Sequence, residues 1–245
     1  VSEVVAIIQA RLGSSRLQAK VLSGLHGRPM LDRVVERVAR IPGLGKVVVA
    51  VPDGRGDDPL AERVESLPGA ELFRGPEDDV LARYLGAARA TGAKVVMRVT
   101  ADCPLLCPAV SARVLEAFLE ADVDYAANTL ERTYPRGLDT EVFSLEVLER
   151  AHRNAESAAE REHVTAHVWR RPERFSLLSV VGEENHGDLR WTVDTPEDLE
   201  LARRVYGALY DRDPAFGYGE ILAAFERHPE WRELNRHVAQ KEVAK

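Results

Sequence analysis

Short β-branched runs alternate along this chain with amphipathic stretches whose apolar residues recur every three or four positions, and that alternation predicts an α/β fold. The runs lie at residues 4–8, 46–51, 70–73, 94–99, 125–128, 141–143, 176–181 and 190–193. Nearly unbroken hydrophobicity in the first, second and fourth predicts central strands covered on both faces. The helical patterns fall at 29–41, 59–67, 79–91, 108–119, 145–154, 160–171, 196–210 and 218–226. The stretch 29–41 opens on Pro29, suited to a first helical turn, and sets Leu31, Val34, Val35 and Val38 on one face, as a crossover helix requires. No internal repeat interrupts the order. We expect one domain over 1–245, with an excursion over about 128–186 where the β-α rhythm breaks down. The charged tail after His228 is expected to fray or to pack on a partner.

The chain has 245 residues, 45% of them hydrophobic and 30% charged, which is enough apolar material for a sizeable core. Its 33 Lys and Arg against 40 Asp and Glu leave a net charge of −7, so no broad basic field exists for nucleic acid. Cys103 and Cys107 form no disulfide framework and no zinc set by themselves, which fits a reducing compartment. Neither a signal-peptide core nor an apolar run of membrane-spanning length is visible, and a cytoplasmic location is expected.

Directly after the first run comes Gln9-Ala10-Arg11-Leu12-Gly13-Ser14-Ser15-Arg16-Leu17, closed by Lys20. A glycine allows close backbone approach, successive N–H groups can converge on an anion, and Arg11, Arg16 and Lys20 can neutralise a triphosphate. The carboxyl end of a parallel strand is also where open α/β sheets bind ligands. Neither common phosphate-loop fingerprint is present, so spacing alone leaves a basic surface turn equally open.

The segment Ala10-Arg11-x-Gly13-Ser14-x-Arg16-Leu17-x-x-Lys20-Val21-Leu22 resembles the signature of the cytidylyltransferase family, which includes the synthetases that attach CMP to sialic acids and to Kdo. The resemblance is nearest to the spore-coat polysaccharide biosynthesis branch. It continues in order through Gly75-Pro76-Glu77-Asp78-Asp79-Val80-Leu81-x-Arg83-Tyr84, Arg98-Val99-Thr100-Ala101-Asp102-Cys103-Pro104-Leu105, Arg136-Gly137-Leu138-Asp139-Thr140-Glu141-Val142-Phe143, Arg161-Glu162-His163-Val164-Thr165 and Arg190-Trp191-Thr192-Val193-Asp194-Thr195-x-Glu197-Asp198-Leu199. It spans residues 4–210. It implies a fold like that of the nucleotide-diphospho-sugar transferases: a twisted, mixed but mainly parallel sheet flanked by helices, of GT-A or Rossmann-like type. The family has Pro-Gly where this chain has Gln18-Ala19, so the loop before Lys20 is expected to take another path.

Nucleotidyl transfer needs a divalent cation, and hard Mg²⁺ selects carboxylate oxygens. Asp102 follows the fourth run, and Pro104 forces a turn there. Asp194 follows the run at 190–193 and precedes a helix start, where an N-cap role is the plain alternative. The resemblance favours both as metal ligands. The string Asp122-Val123-Asp124 precedes a strand, the wrong side for a sheet-edge ligand, and is read as a turn.

The resemblance further implies that Gly137, Asp139, Glu141, Glu162 and His163 face a sugar acceptor, although Arg136–Asp139 also suits a simple turn. Asp79 and Arg83 sit in a family motif as base or sugar contacts, while their spacing of four also suits a surface ion pair. His163 and His167 lack the Glu of the H-E-x-x-H zinc motif, and Cys103 reads as a small buried side chain.

What the family implies is a Mg²⁺-dependent cytidylyltransferase that uses CTP, with Arg11, Lys20 and Asp102 catalytic. Gly13, Ser14, Ser15 and Arg16 would join Arg11 and Lys20 on the phosphates. The expected partners are CTP and a small sugar, with homodimerisation through the excursion. Two rivals stand beside it: a glycosyltransferase of the same fold, and a non-catalytic nucleotide-binding subunit.

Overall fold

The computed structural model describes residues 3–14 and 16–240. Its main sheet has seven strands in the order β5-β4-β1-β6-β8-β7-β9. These are β1 (Val4–Gln9), β4 (Lys46–Pro52), β5 (Glu71–Gly75), β6 (Val95–Thr100), β7 (Tyr125–Ala127), β8 (Glu141–Ser144) and β9 (Leu177–Ser179). β5, β4, β1 and β6 run parallel. β8 is antiparallel to both β6 and β7, and β9 returns parallel to β7. The continuous hydrophobic runs are the central strands: Ala6, Ile7, Ile8, Val49, Ala50 and Val51 are all solvent-inaccessible. Fully burying a valine or isoleucine side chain contributes roughly 1.5–3 kcal/mol, so these strands anchor the sheet.

Helices cover both faces. α1 (Met30–Val38) buries Leu31, Val34, Val35 and Val38 in the core that also holds α4 (Pro108–Glu120) and α8 (Pro196–Leu209). α3 (Val80–Thr91) and α5 (Leu145–Asn154) pack on the other face, with Tyr84, Leu85 and Leu148 buried among Val5, Ile7 and Val96. α2 (Asp58–Glu65) and α9 (Tyr218–Arg227) complete the expected helices.

Three expectations need correction, and one element has no counterpart in the sequence reading. The run at 190–193 forms no strand; it makes one bridge, Arg190 to Arg136, and Val193 N–H donates to the Asp102 carbonyl at 2.8 Å. The helix expected over 160–171 is two short ones, α6 (Ala158–Glu162) and α7 (Ala166–Trp169), separated where Val164 takes a positive φ of 47°. A small hairpin, β2 (Gly24–Leu25) and β3 (Arg28–Pro29), turns through His26 and Gly27, both at positive φ, a conformation suited to a tight two-residue loop. The tail folds back as far as residue 240: α10 (Trp231–Leu234) buries Trp231 against Phe225.

Candidate active site

The carboxyl ends of β1 and β6 are adjacent, joined where Ala101 N–H donates to the Gln9 carbonyl at 3.0 Å, and the loops that leave them build the site. From β1, the chain passes through exposed Arg11 and Gly13 to Ala19, whose φ of 50° is left-handed. Ala19 N–H closes the loop on the Leu12 carbonyl at 3.1 Å, and Leu12 N–H donates to the Asp57 carboxylate at 2.7 Å. Among the described residues nothing lies within 4 Å of where a Cβ on Gly13 would sit. Ser15 lies outside the described residues.

This loop brings Lys20 onto both expected carboxylates. Its Nζ donates to Asp194 Oδ1 at 2.7 Å, Asp102 Oδ2 at 3.2 Å and the Val193 carbonyl at 2.8 Å. With Gln18-Ala19 before it, the lysine still reaches both carboxylates. Asp194 Oδ2 takes Arg16 at 2.8 Å and Arg190 at 2.7 Å. Asp102 Oδ1 accepts from the Thr100 hydroxyl at 2.5 Å. Burial would raise the Asp194 pKa, but Lys20, Arg190 and Arg16 outweigh it and hold the carboxyl below its ordinary range. For Lys20, burial would lower the pKa and the two carboxylates reverse that, keeping the ammonium charged. The N-cap of α8 is Thr195, whose side chain accepts from Asp198 N–H, so Asp194 is not the cap.

The donor set suits a hard divalent ion. Two carboxylates meet on one cation, and Mg²⁺ is characteristically held by one or two carboxylates together with substrate phosphates. Among the described residues no group of three or more His, Cys, Asp or Glu forms a complete protein cage.

A second cluster lines a cleft of about 130 Å³ beside the loop, formed by Gln9, Ala10, Arg11, Val80, Arg83, Glu162 and His163. Arg83 and Asp79 do not pair. Asp79 caps α3, accepting from Ala82 N–H at 2.8 Å, and takes Arg161 at 3.1 Å. Arg83 turns inward at 1% exposure, donating to the Pro76 carbonyl at 2.6 Å, and its buried Nε has no partner among the described residues. Burial lowers the Arg83 pKa and also holds His163 below its ordinary value, so His163 is neutral near pH 7.

The remaining expected acceptor residues are not in the lining of this cleft. Gly137 has a φ of 106°, and a Cβ there would come within 2.6 Å of the Trp191 and Thr192 backbone, so the turn's close approach to the segment before Asp194 demands glycine. Asp139 is held by Arg132 at 2.7 and 3.1 Å. Glu141 is buried and its carboxylate meets Arg98, the Tyr125 hydroxyl at 2.8 Å and the Thr165 hydroxyl at 2.5 Å. Arg98 in turn donates to Gln9 Oε1 at 3.0 Å, connecting this hub to the cleft. Cys103 is buried, and burial pushes its thiol well up, which is the wrong direction for a nucleophile. Asp124 of the D-x-D string pairs with Arg150 and Ser176, apart from both clusters.

Sequence reading did not assign Gln9, Asp57, Arg98 or Arg190. Arg98 and Arg190 lie in the motif segments, where an arginine within a strand-like run could have been marked as a buried charge needing a partner.

Residues 5–228 match the model of the cytidylyltransferase family. The spore coat polysaccharide biosynthesis protein SpsF of Bacillus subtilis is 30% identical over 94% of this chain and 96% of its own. The 3-deoxy-manno-octulosonate cytidylyltransferase of Anaeromyxobacter sp. (strain K) is 31% identical over 84% of this chain and 98% of its own. Among solved structures, a cytidylyltransferase from Leptospira borgpetersenii superimposes with a TM-score of 0.89 at 27% identity, covering 98% of this chain and 99% of that one. With its mixed, mainly parallel sheet and its strand-end site, the chain belongs to the cytidylyltransferase family and is a nucleotidyltransferase of the nucleotide-diphospho-sugar transferase fold.

Proposed function

We propose that this protein transfers CMP from CTP to a sugar hydroxyl in a Mg²⁺-dependent reaction that releases pyrophosphate. The observation that carries this reading is the single ammonium of Lys20 held between Asp102, just past β6, and Asp194, just before α8, beside a loop bearing two further cations. Lys20 and Arg16 would turn to the triphosphate, freeing the carboxylates for a metal ion. Bound there with the nucleotide, the ion supplies charge neutralisation at the phosphates and polarisation of oxygen.

In the reaction the acceptor oxygen forms a bond to the α-phosphorus as the bond to the β-phosphate oxygen breaks. Pyrophosphate leaves with that electron pair, and the hydroxyl proton passes to solvent. No protein nucleophile is needed; alignment and electrostatic stabilisation account for most of the rate. Arg11, with the Gly13, Ser14 and Ser15 backbone, would join Arg16 and Lys20 on the phosphates. Asp79 and Arg83 would line the nucleoside end, while Gly137, Asp139, Glu141, Glu162 and His163 shape the acceptor side. Arg11, Arg83, Glu162 and His163 lining one cleft supports a meeting of nucleoside and acceptor there. An acidic sugar is the acceptor class suggested by the Anaeromyxobacter relative's name, and surface-polysaccharide synthesis by that of the Bacillus one.

We also read the chain as one catalytic unit that dimerises through residues 128–186 and works in the cytoplasm. No helix among the described residues is long and apolar enough to cross a membrane. Sedimentation reads the oligomeric state. The test of the main reading follows pyrophosphate release from CTP and Mg²⁺ with a panel of acidic and neutral sugars. Release with at least one sugar supports it; no release with any sugar, together with no CTP binding by calorimetry, overturns it.

A further inference from the structure

Asp194 is gripped from behind as well as from the phosphate loop. Arg190 is 7% exposed and holds Asp194 Oδ2 at 2.7 Å, while its fork donates to both oxygens of Asp198 at 2.9 and 3.0 Å. The Asp198 side chain is inaccessible to solvent. Its Oδ2 also accepts the N–H groups of Asp194 at 2.9 Å and Thr195 at 3.1 Å. The backbone and the carboxylate of Asp194 are thus both referred to one buried carboxylate.

That buried pair is closed by the tail. Asn235, 4% exposed, donates to Asp198 Oδ1 at 2.8 Å and to the Arg190 carbonyl at 2.9 Å, and Gln240 Oε1 accepts from Arg190 at 2.5 Å. Trp231 anchors the same segment against Phe225. The tail residues that make these contacts all lie beyond residue 228, where the match to the family model ends.

We propose that the C-terminal arm, residues 229–240, orients Asp194 for divalent-metal binding through Arg190 and Asp198, making Arg190, Asp198 and Asn235 positioning residues. This rests on Asp194 being a metal ligand. Arg16 and Lys20 belong to the loop and can move to a triphosphate. Arg190 cannot follow, because its fork is fixed on Asp198 in a buried bidentate pair. When the loop cations leave, Asp194 Oδ2 stays tethered and Oδ1, the oxygen that Lys20 held, is the one presented to a cation. A carboxylate held by a partner in this way behaves like other metal ligands with outer-shell support, whose loss costs about 10–100-fold in metal affinity or activity.

The experiment titrates Mn²⁺ into the full chain with CTP and no acceptor, reading free Mn²⁺ by electron paramagnetic resonance. CTP KM is measured at saturating metal. Asn235→Ala and Arg190→Lys are each expected to weaken Mn²⁺ binding about tenfold, while CTP KM at saturating metal stays unchanged. Gln240→Ala should shift it less, in the same direction. A purely structural arm would lower the fraction of binding-competent protein and the melting midpoint but leave affinity per folded molecule as in wild type, which overturns the proposal. If Asn235→Ala does not fold, an unchanged Mn²⁺ affinity in Gln240→Ala and Arg190→Lys does the same. Asp194→Asn separates the two levels. If it binds Mn²⁺ like wild type, the ligand assignment itself fails; if it loses Mn²⁺ while Asn235→Ala keeps wild-type affinity, only the role of the arm fails.

Discussion

Leu12 N–H donates to the Asp57 carboxylate at 2.7 Å, pinning the loop after β1 to the turn after β4 across 45 residues of sequence. Asp57 is 6% exposed and makes no cap bond to its own helix, so this is the bond its side chain serves. A hydrogen bond to an ionised acceptor contributes about 1.5–3 kcal/mol. Asp57→Ala should therefore loosen the loop and raise CTP KM about tenfold or more, with Asp57→Asn milder. Steady-state kinetics with varied CTP checks this, and an unchanged KM in Asp57→Ala would show that the loop holds its shape without the tether.

Lys20 acts in the free protein as a cation lodged where we propose that the metal binds. Lys20→Met removes it and leaves Asp102 and Asp194 facing each other without their shared ammonium. Mg²⁺ or Mn²⁺ in the absence of nucleotide should then raise the melting midpoint of Lys20→Met more than that of wild type, while turnover collapses. The wild-type pH dependence follows from the two shifts. The raised Lys20 pKa adds stability that is complete below the ordinary lysine value of 10.5 and is lost as pH climbs through the folded value. The lowered Asp194 pKa adds stability present above the ordinary 3.8 and lost as pH falls through the folded value. Equal metal stabilisation of Lys20→Met and wild type would contradict the shared site.

The sheet was legible in the sequence because its central strands are buried on both faces and write that burial as unbroken runs. Asp102 was legible for the same reason, since it sits just past such a run. Residues 190–193 alternate polar and apolar like a strand, yet Arg190 and Thr192 are needed for the Asp198 pair and the Asp102 carbonyl, and only one bridge forms. Spacing placed Asp79 and Arg83 on one helix face but could not say that Asp79 also caps that helix while Arg83 is buried in the wall of the cleft. The Asn235 contact spans 37 residues to Asp198, and no local pattern announces it.

Ala19 sits in the left-handed region, φ 50° and ψ 28°, immediately before Lys20. For a residue with a Cβ this conformation costs roughly 1–2 kcal/mol, whereas glycine adopts it freely but loses more entropy on folding. Ala19→Gly should therefore be neutral to stabilising, by up to about 1 kcal/mol, with Lys20 still on its carboxylates. Chemical denaturation measures the difference. A clear loss of stability would mean that the side chain of Ala19 contributes packing that outweighs its backbone strain.

Glu160, in the excursion, has its carboxyl held well below the ordinary range. Its side chain is 5% exposed, so burial alone would raise its pKa. The N–H groups of Glu156 and Ser157, at 2.9 and 3.2 Å, and Arg171 at 2.6 Å outweigh that and bring the carboxyl down to about 2. Because the folded value lies below the ordinary 4.5, the contribution is complete above that value and is lost as pH falls toward 2. A depression of this size corresponds to a contribution on the order of 3 kcal/mol. Glu160→Gln should lower stability at pH 7 by up to about that amount and flatten the decline of stability between pH 4.5 and 2. Because α6 carries Glu162 toward the cleft, the same variant should also raise the KM for the acceptor more than that for CTP. Urea unfolding across the acid range reads the first effect and bisubstrate kinetics the second. An unaltered acid profile in Glu160→Gln would show that the Ser157 cap and Arg171 do not depend on a charged carboxylate.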